Sequence, residues 1–344
     1  MNRFWLSDDE IASIRLLLKD ITSRYKSVED EELLDDICLY AHELPRGVRS
    51  FLNDFKLREP SPGCCIISGY PVDQEKIGPT PAHWKDRPEL SPTLDEEVYL
   101  LLCGSLLGES LGWATQQDGH IVHDVMPIKG HEYEQLGTGS QELLWWHNED
   151  AFHPFRGDYL VLFCLRNPDE VATIFAGIDS VQLSGNHLDI LLEPHFTIRP
   201  DESHQQKIKV VAAECSRQDQ SLLEASYAGI NKMNTNPEKL AVLYGDRKSP
   251  YIRLDPYFMD RLEENETAQD ALDDLIRAID SNLKDLILMP GDCLIIDNFR
   301  AVHGRRPFKA KFDGNDRWLK RINVTRDIRK SRSVRFSPSS RVIY

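Results

Sequence analysis

Apolar residues recur at helical intervals in the first third of the chain and alternate or run in short blocks through the rest. Ile11, Ile14, Leu18 and Ile21 share one helical face. The helix they predict starts at Ser7, because Ser7-Asp8-Asp9-Glu10 forms a capping box with Leu6 and Ile11 spaced as its hydrophobic staple. A second helix is expected from Glu96 to Trp113, very apolar through Val98-Tyr99-Leu100-Leu101-Leu102-Cys103, to pack across a sheet face. In the apolar stretch Cys64-Cys65-Ile66-Ile67, strand alternation would send the two cysteines to opposite faces. From Ala114 onward the strand-like runs are Tyr159 to Leu165, Val171 to Ala176, Ile208 to Ala213, Tyr251 to Leu254, Leu286 to Ile296 and Trp318 to Val324. Glycine and proline turns separate them, a pattern that predicts a mainly β sandwich or barrel flanked by helices.

Neither a Gly/Ser- or Pro-rich linker nor an internal repeat divides the 344 residues, so a single catalytic domain over 1–344 is expected. Within it, 1–113 is a mostly helical scaffold with early strands and 114–335 is the sheet core. No run approaches 18 apolar residues and the start of the chain turns acidic at Asp8, so neither a membrane span nor a signal peptide is expected. Seven cysteines with no Cys-x-x-Cys pair suit a reducing compartment and a cytoplasmic protein. The net charge of -15 argues against nucleic acid as a partner, although Arg317 to Arg335 holds eight basic residues. Gly137-Thr138-Gly139-Ser140 lacks the lysine and spacing of a phosphate loop and reads as a turn.

The chemistry concentrates at His147 and Glu149 within Trp146-His147-Asn148-Glu149-Asp150, and at His303 just beyond a strand, turn and strand around Pro290-Gly291-Asp292. In an extended segment residues two apart project to one side, so His147 and Glu149 can meet one ion while Asn148 faces away. Two imidazoles and one carboxylate on one face of a metal leave the opposite face open, the arrangement of non-haem Fe(II) oxygenases. Arg317 opens the last strand-like run, and its guanidinium suits the distal carboxylate of 2-oxoglutarate through two parallel charge-assisted hydrogen bonds.

Around these residues the stretches Trp113 to Gly119, Asp124 to Gly130, His147 to Phe152, Leu165 to Asp169, Arg199 to His204 and Asp316 to Asn323 resemble the clavaminate synthase-like branch of the 2-oxoglutarate oxygenases, and within it the L-arginine 3-hydroxylases. The resemblance runs from about Leu44 to Arg332. It implies a double-stranded β-helix, or jelly roll, with a lid insert near 200–220. It implies Fe(II) on His147, Glu149 and His303, with 2-oxoglutarate and dioxygen as cosubstrates. By the same resemblance Arg317 and Thr173 hold 2-oxoglutarate, Arg321 holds the substrate α-carboxylate, Gln116 and Glu149 lie near its α-amine, and Asp201 and Ser203 belong to the lid.

Where the arginine hydroxylases carry two acids flanking a glycine for the guanidinium, this chain reads Leu254-Asp255-Pro256-Tyr257. Asp255 precedes a proline and is biased to extended backbone. Its carboxylate can pair with a guanidinium or an ammonium, and Tyr257 adds a hydroxyl and a ring face. The implied activity is hydroxylation of a free basic L-amino acid, arginine or a guanidino relative such as enduracididine, at carbon 3 or 4, in antibiotic biosynthesis. The alternatives are a lysine hydroxylase, an arginine desaturase, and a non-catalytic jelly roll that binds an amino acid.

Overall fold

The computed structural model describes residues 2–205 and 217–344. Its strands are β1 (Asn2–Trp5), β2 (Cys64–Ser68), β3 (Glu109–Trp113), β4 (His123–Val125), β5 (Leu144–His147), β6 (Tyr159–Arg166), β7 (Ala172–Gly177), β8 (Leu243–Asp246), β9 (Ser249–Ile252), β10 (Lys284–Ile287), β11 (Cys293–Asp297), β12 (Ala301–Arg305), β13 (Trp318–Thr325) and β14 (Val342–Ile343). The helices are α1 (Asp8–Arg24), α2 (Glu31–Ala41), α3 (Arg46–Arg58), α4 (Gln74–Ile77), α5 (Leu94–Ser105), α6 (Gly185–Leu191), α7 (Arg217–Thr235) and α8 (Glu266–Asp280). A large sheet runs β1-β2-β11-β6-β13-β3-β14, with β4 also on β13, and a smaller one runs β10-β7-β12-β5.

The inner strands β2, β6, β7 and β11 are covered on both faces, which is why they read as nearly unbroken apolar runs. Alternation sorts each strand between two cores. Cys64, Ile66, Leu160, Leu162, Leu294 and Ile296 of the large sheet meet Phe175 and Leu286 of the small one between the layers. The intervening Cys65, Ile67, Val161, Phe163 and Ile295 face outward against α1, α2, α3 and α5. On the far side, Trp146, Ile174, Ala176 and Val302 pack beneath α8. The result is the double-stranded β-helix with flanking helices expected from the sequence, and its interior opens at the end where β5, β12 and β13 carry polar residues. No helix among the described residues is long and apolar enough to cross a membrane.

The capping box of α1 forms as expected, with Ser7 and Glu10 exchanging hydrogen bonds. The expected helix from Glu96 to Trp113 is shorter. It ends at Ser105, and Glu109–Trp113 becomes β3, paired with β13. Gly108 permits the change, since a Cβ there would lie 2.2 Å from the Thr325 carbonyl oxygen. The expected strand from Ile208 to Ala213 lies outside the described residues, as do residues 206–216 of the lid insert.

A second close approach fixes β5 against β12. A Cβ on Gly304 would lie 2.4 Å from the Leu144 carbonyl oxygen, at the point where the register of the two strands shifts. Gly304→Ala should therefore spread the strands and destabilise the fold by about 1–3 kcal/mol, the usual cost of forced backbone shifts. Chemical denaturation of the two proteins measures this, and unchanged stability would mean that the strands separate freely.

Candidate active site

His147, the last residue of β5, stands directly opposite His303 of β12 in the antiparallel ladder. Their rings lie 4.7 Å apart between centroids. The Oε2 of Glu149 is 3.8 Å from His147 Nε2 and 3.4 Å from His303 Nε2. One donor atom from each of the three lies within 4.8 Å of the others. Metal bonds of about 2.1 Å would draw such donors to roughly 3–4 Å of one another, so the trio fits a single ion. His147 Nδ1 meets the Trp145 carbonyl at 2.7 Å, which makes it the protonated nitrogen and leaves Nε2 with its lone pair toward the other two donors. Two nitrogens and one oxygen on one side suit Fe(II) with open positions.

Asn148, between the two ligand candidates, points away as alternation requires and is fully buried. Its amide donates to the carbonyls of Asn298 and Ala301 at 2.8 and 3.0 Å and accepts from the Leu254 N–H at 2.8 Å. Asn298 in turn accepts from the Glu149 N–H at 2.7 Å and donates to its carbonyl at 3.0 Å. These two amides bolt the His147 segment to the start of β12. Through Leu254 they also fix Asp255, next in the chain, relative to the metal-ligand candidates.

All eleven residues singled out in the sequence line one cavity of about 380 Å³. At one end Arg317 is buried and donates to Thr173 Oγ1 at 3.2 Å. Burial lowers its pKa to about 10. Beside it sits Arg305, which sequence reasoning missed, although it lies two residues after His303 on the same strand and so faces the same way. Burial, and then the charge of Arg317, lower Arg305 to about 9. Neither guanidinium has a carboxylate partner among the described residues. Two cations buried together call for an anion, and the carboxylate of a ligand meets that demand.

Midway along the cavity Arg321 donates to Glu149 Oε1 and, at 3.1 Å, to Gln116 Oε1. Burial opposes a charged Glu149, but the Arg321 guanidinium together with hydrogen bonds from His147 and His303 outweighs it and holds the carboxyl well below the usual range. His123, a further residue missed from sequence, accepts from Arg321 Nη2 at 2.7 Å and meets the His120 carbonyl with its other nitrogen at 2.9 Å. Burial and the charges of Arg321 and Arg87 keep that imidazole neutral, so it orients the guanidinium without competing for its anion.

At the other end Asp255 is buried and has no cationic side chain paired with it among the described residues. Burial raises its pKa to about 6, with the neighbouring His147 working against the rise and the Asp201 charge adding to it. Its backbone, at φ -145° and ψ 87°, is non-helical as the following proline requires. Tyr257 lines the same cavity but is 50% exposed, so it borders the mouth. Asp201 and Ser203 close the remaining wall, where Ser203 Oγ accepts from Gln116 Nε2 at 2.5 Å. His153, close to the trio in sequence, is not part of it. It packs edge-on against Trp113 at 4.4 Å, and burial depresses its pKa to about 3.

The family model of the taurine catabolism dioxygenase TauD, TfdA family matches residues 229–323, which include His303, Arg317 and Arg321. The chain is 46% identical to the L-ornithine/L-arginine 3-hydroxylase of Catenulispora acidiphila, with 100% of each chain covered. It is 45% identical to the enduracididine beta-hydroxylase of Streptomyces hygroscopicus, covering 98% of each. Among solved structures it superposes on the non-heme iron oxygenase OrfP in complex with Fe, succinate and (3S)-hydroxy-L-Arg, with a TM-score of 0.93, 44% identity and full coverage of both chains.

Two predictions test this geometry. His147→Ala and His303→Ala should each abolish stoichiometric Fe(II) binding while leaving the circular dichroism spectrum intact, since each removes one of three donors from a surface that the amides of Asn148 and Asn298 hold independently. Retained binding in both variants would contradict the trio. The second concerns Asp255. The folded chain keeps it protonated to about pH 6, whereas the unfolded chain ionises it near pH 3.9, about the reference value. The folded state thus binds more protons in that window, and stability falls as pH rises through it. Asp255→Asn should stabilise the ligand-free protein by roughly 2–3 kcal/mol at pH 8 and hardly at all at pH 4, as read by denaturation at the two values.

Proposed function

The chain belongs to the clavaminate synthase-like branch of the Fe(II)- and 2-oxoglutarate-dependent oxygenases, and we propose that it hydroxylates free L-arginine, or a guanidino relative such as enduracididine, at carbon 3. The observation that carries this reading is the buried, cation-free carboxylate of Asp255 in the same cavity as Arg321, Glu149 and Gln116. A free basic amino acid offers a cation for the first and a carboxylate and an amine for the second group. The relatives support the carbon, because one is a 3-hydroxylase of arginine and the other a beta-hydroxylase of a guanidino amino acid.

Fe(II) held by His147, Glu149 and His303, with 2-oxoglutarate and dioxygen, supplies an oxidant able to break an unactivated C–H bond. The chain's own task is aim, since selectivity comes from holding one bond in place. Arg317, with Thr173, grips the distal carboxylate of 2-oxoglutarate, and Arg305 adds positive potential beside it. Arg321 takes the substrate α-carboxylate and Glu149 receives the α-amine, so one carboxylate serves metal and substrate together. Asp255 pairs with the cationic end, and the span between Arg321 and Asp255 selects the carbon presented. Asp201 and Ser203 cover the bound amino acid and exclude water. L-Ornithine is the second reading, because one carboxylate pairs as well with an ammonium and the Catenulispora relative is named for both amino acids. A cytoplasmic location is supported by the free thiols of all six cysteines among the described residues. A place in antibiotic biosynthesis is part of the same proposal.

The test is incubation with Fe(II), 2-oxoglutarate and each of arginine, enduracididine, ornithine and lysine, with product mass and succinate followed together. A gain of one oxygen on a guanidino amino acid, matched by succinate, is expected. A loss of two hydrogens means desaturation, and no amino-acid product overturns the reading. Arg317→Ala should raise the 2-oxoglutarate KM by roughly 10- to 100-fold, the value of a charge-assisted hydrogen-bonded contact, while the arginine KM moves little. The opposite split would exchange the roles of Arg317 and Arg321.

A further inference from the structure

Four segments of the cavity wall meet at one buried carboxylate. Asp150, next to Glu149, adopts a left-handed backbone at φ 50°. Its Oδ2 accepts from Trp113 Nε1 at 2.7 Å and from Asn323 Nδ2 at 3.2 Å, and its Oδ1 meets His204 Nε2 at 3.0 Å. The other ring nitrogen of His204 meets Thr115 Oγ1 at 2.7 Å. The imidazole is fully buried, with Trp113 and Phe152 edge-on at 5.5 and 4.9 Å.

Each segment presents one residue to the cavity and a near neighbour to this knot. Glu149 precedes Asp150, Gln116 follows Thr115, Ser203 precedes His204, and Arg321 lies two residues before Asn323 on β13. The cavity-facing four are themselves linked, Arg321 to Glu149 and Gln116, and Gln116 to Ser203. The wall is therefore tied twice, through the cavity-facing four and through their neighbours at the knot, of which Thr115 and Asp150 also border the cavity while Trp113, His204 and Asn323 lie behind it. The cluster of Asp150, Asp201 and His204 also brings three potential metal donors together. Its atoms are already engaged, however, since Asp201 Oδ1 takes the Ser203 N–H at 2.8 Å and both oxygens of Asp150 and both nitrogens of His204 have partners.

We infer that His204 and Asp150 are positioning residues: their bond ties the 200–205 turn over the substrate to the segment that carries Glu149, so that the amino acid and the metal ligand are aligned as one unit. The inference rests on the proposed amino-acid hydroxylation. In such a reaction a loss of alignment lets 2-oxoglutarate be consumed without hydroxylating the amino acid, because Arg317, proposed to hold 2-oxoglutarate, hydrogen-bonds to Thr173 and not to the knot.

The test compares wild type, His204→Phe, His204→Gln and Thr115→Val as full chains. Phenylalanine fills the aromatic nest and makes no hydrogen bond, while glutamine can extend an N–H to Asp150. Thr115→Val removes only the second partner and keeps the shape, so it serves if the phenylalanine variant does not fold. The readouts are succinate formed per hydroxylated amino acid, the separate KM values for amino acid and 2-oxoglutarate, and arginine binding to the Mn(II)-loaded protein by calorimetry. His204→Phe should raise the arginine KM and Kd by about tenfold or more and at least double the succinate ratio, with the 2-oxoglutarate KM unchanged, since misplacement by about 1 Å costs up to about 100-fold. His204→Gln should recover most of the coupling, and Thr115→Val should fall between. Wild-type coupling in both His204→Phe and Thr115→Val, equal damage in His204→Phe and His204→Gln, or a parallel rise in the 2-oxoglutarate KM would overturn the inference. A wild-type protein that makes no hydroxylated amino acid would instead overturn the proposed function, and the calorimetric comparison would still decide the role of the knot.

Discussion

The pairing of β5 with β12 is the constraint on which the site depends. It sets His147 opposite His303 in the ladder, and the two-residue step of an extended chain brings Glu149 to the same side. A shift by one residue would turn both imidazoles into the apolar layer beneath α8, where Trp146 and Val302 now sit. Burial of both sheet faces therefore holds the metal-ligand candidates as firmly as it holds the core. The close approach at Gly304 and the buried amides of Asn148 and Asn298 add local locks to that global one.

Charge in the cavity is sorted along its length although the chain as a whole is strongly acidic. Arg317 and Arg305 are buried together at one end and Asp255 lies without a cation at the other. Each arrangement costs stability in the absence of a ligand, as the lowered basicity of both arginines and the raised pKa of Asp255 express. An anionic ligand group at the first end and a cationic one at the second relieve these costs, and in the proposed reaction they come from 2-oxoglutarate and the amino acid respectively. The middle of the cavity is different, because Arg321 and Glu149 neutralise one another.

Much of this was legible in the sequence because it is local. The capping box of α1, the alternation that sends Cys64 and Cys65 into different cores, and the His-x-Glu step all depend on spacings of two or three residues. Arg305 was legible by the same alternation from His303 and was passed over. What stayed hidden is what only tertiary contact creates. The helix expected to reach Trp113 stops early because Gly108 meets β13, some two hundred residues later in the chain. The knot at Asp150 joins residues from 113 to 323, and nothing about His204 in isolation distinguishes it from a surface histidine. Tyr257 stands where the resemblance leads one to expect a second acid, yet the fold leaves it half exposed at the cavity mouth.

In the proposed reaction the buried carboxylate of Asp255 reads the positive end of a free amino acid. L-Arginine and L-citrulline differ there by one charge and almost nothing in size. Their affinities for the metal-loaded protein, measured by calorimetry in wild type and in Asp255→Ala, isolate that interaction. The account predicts that wild type favours arginine by roughly 100-fold or more and that Asp255→Ala erases most of the preference, since an unpaired buried charge costs on the order of 3–5 kcal/mol. Equal affinity for the two amino acids in wild type, unchanged in the variant, would contradict it.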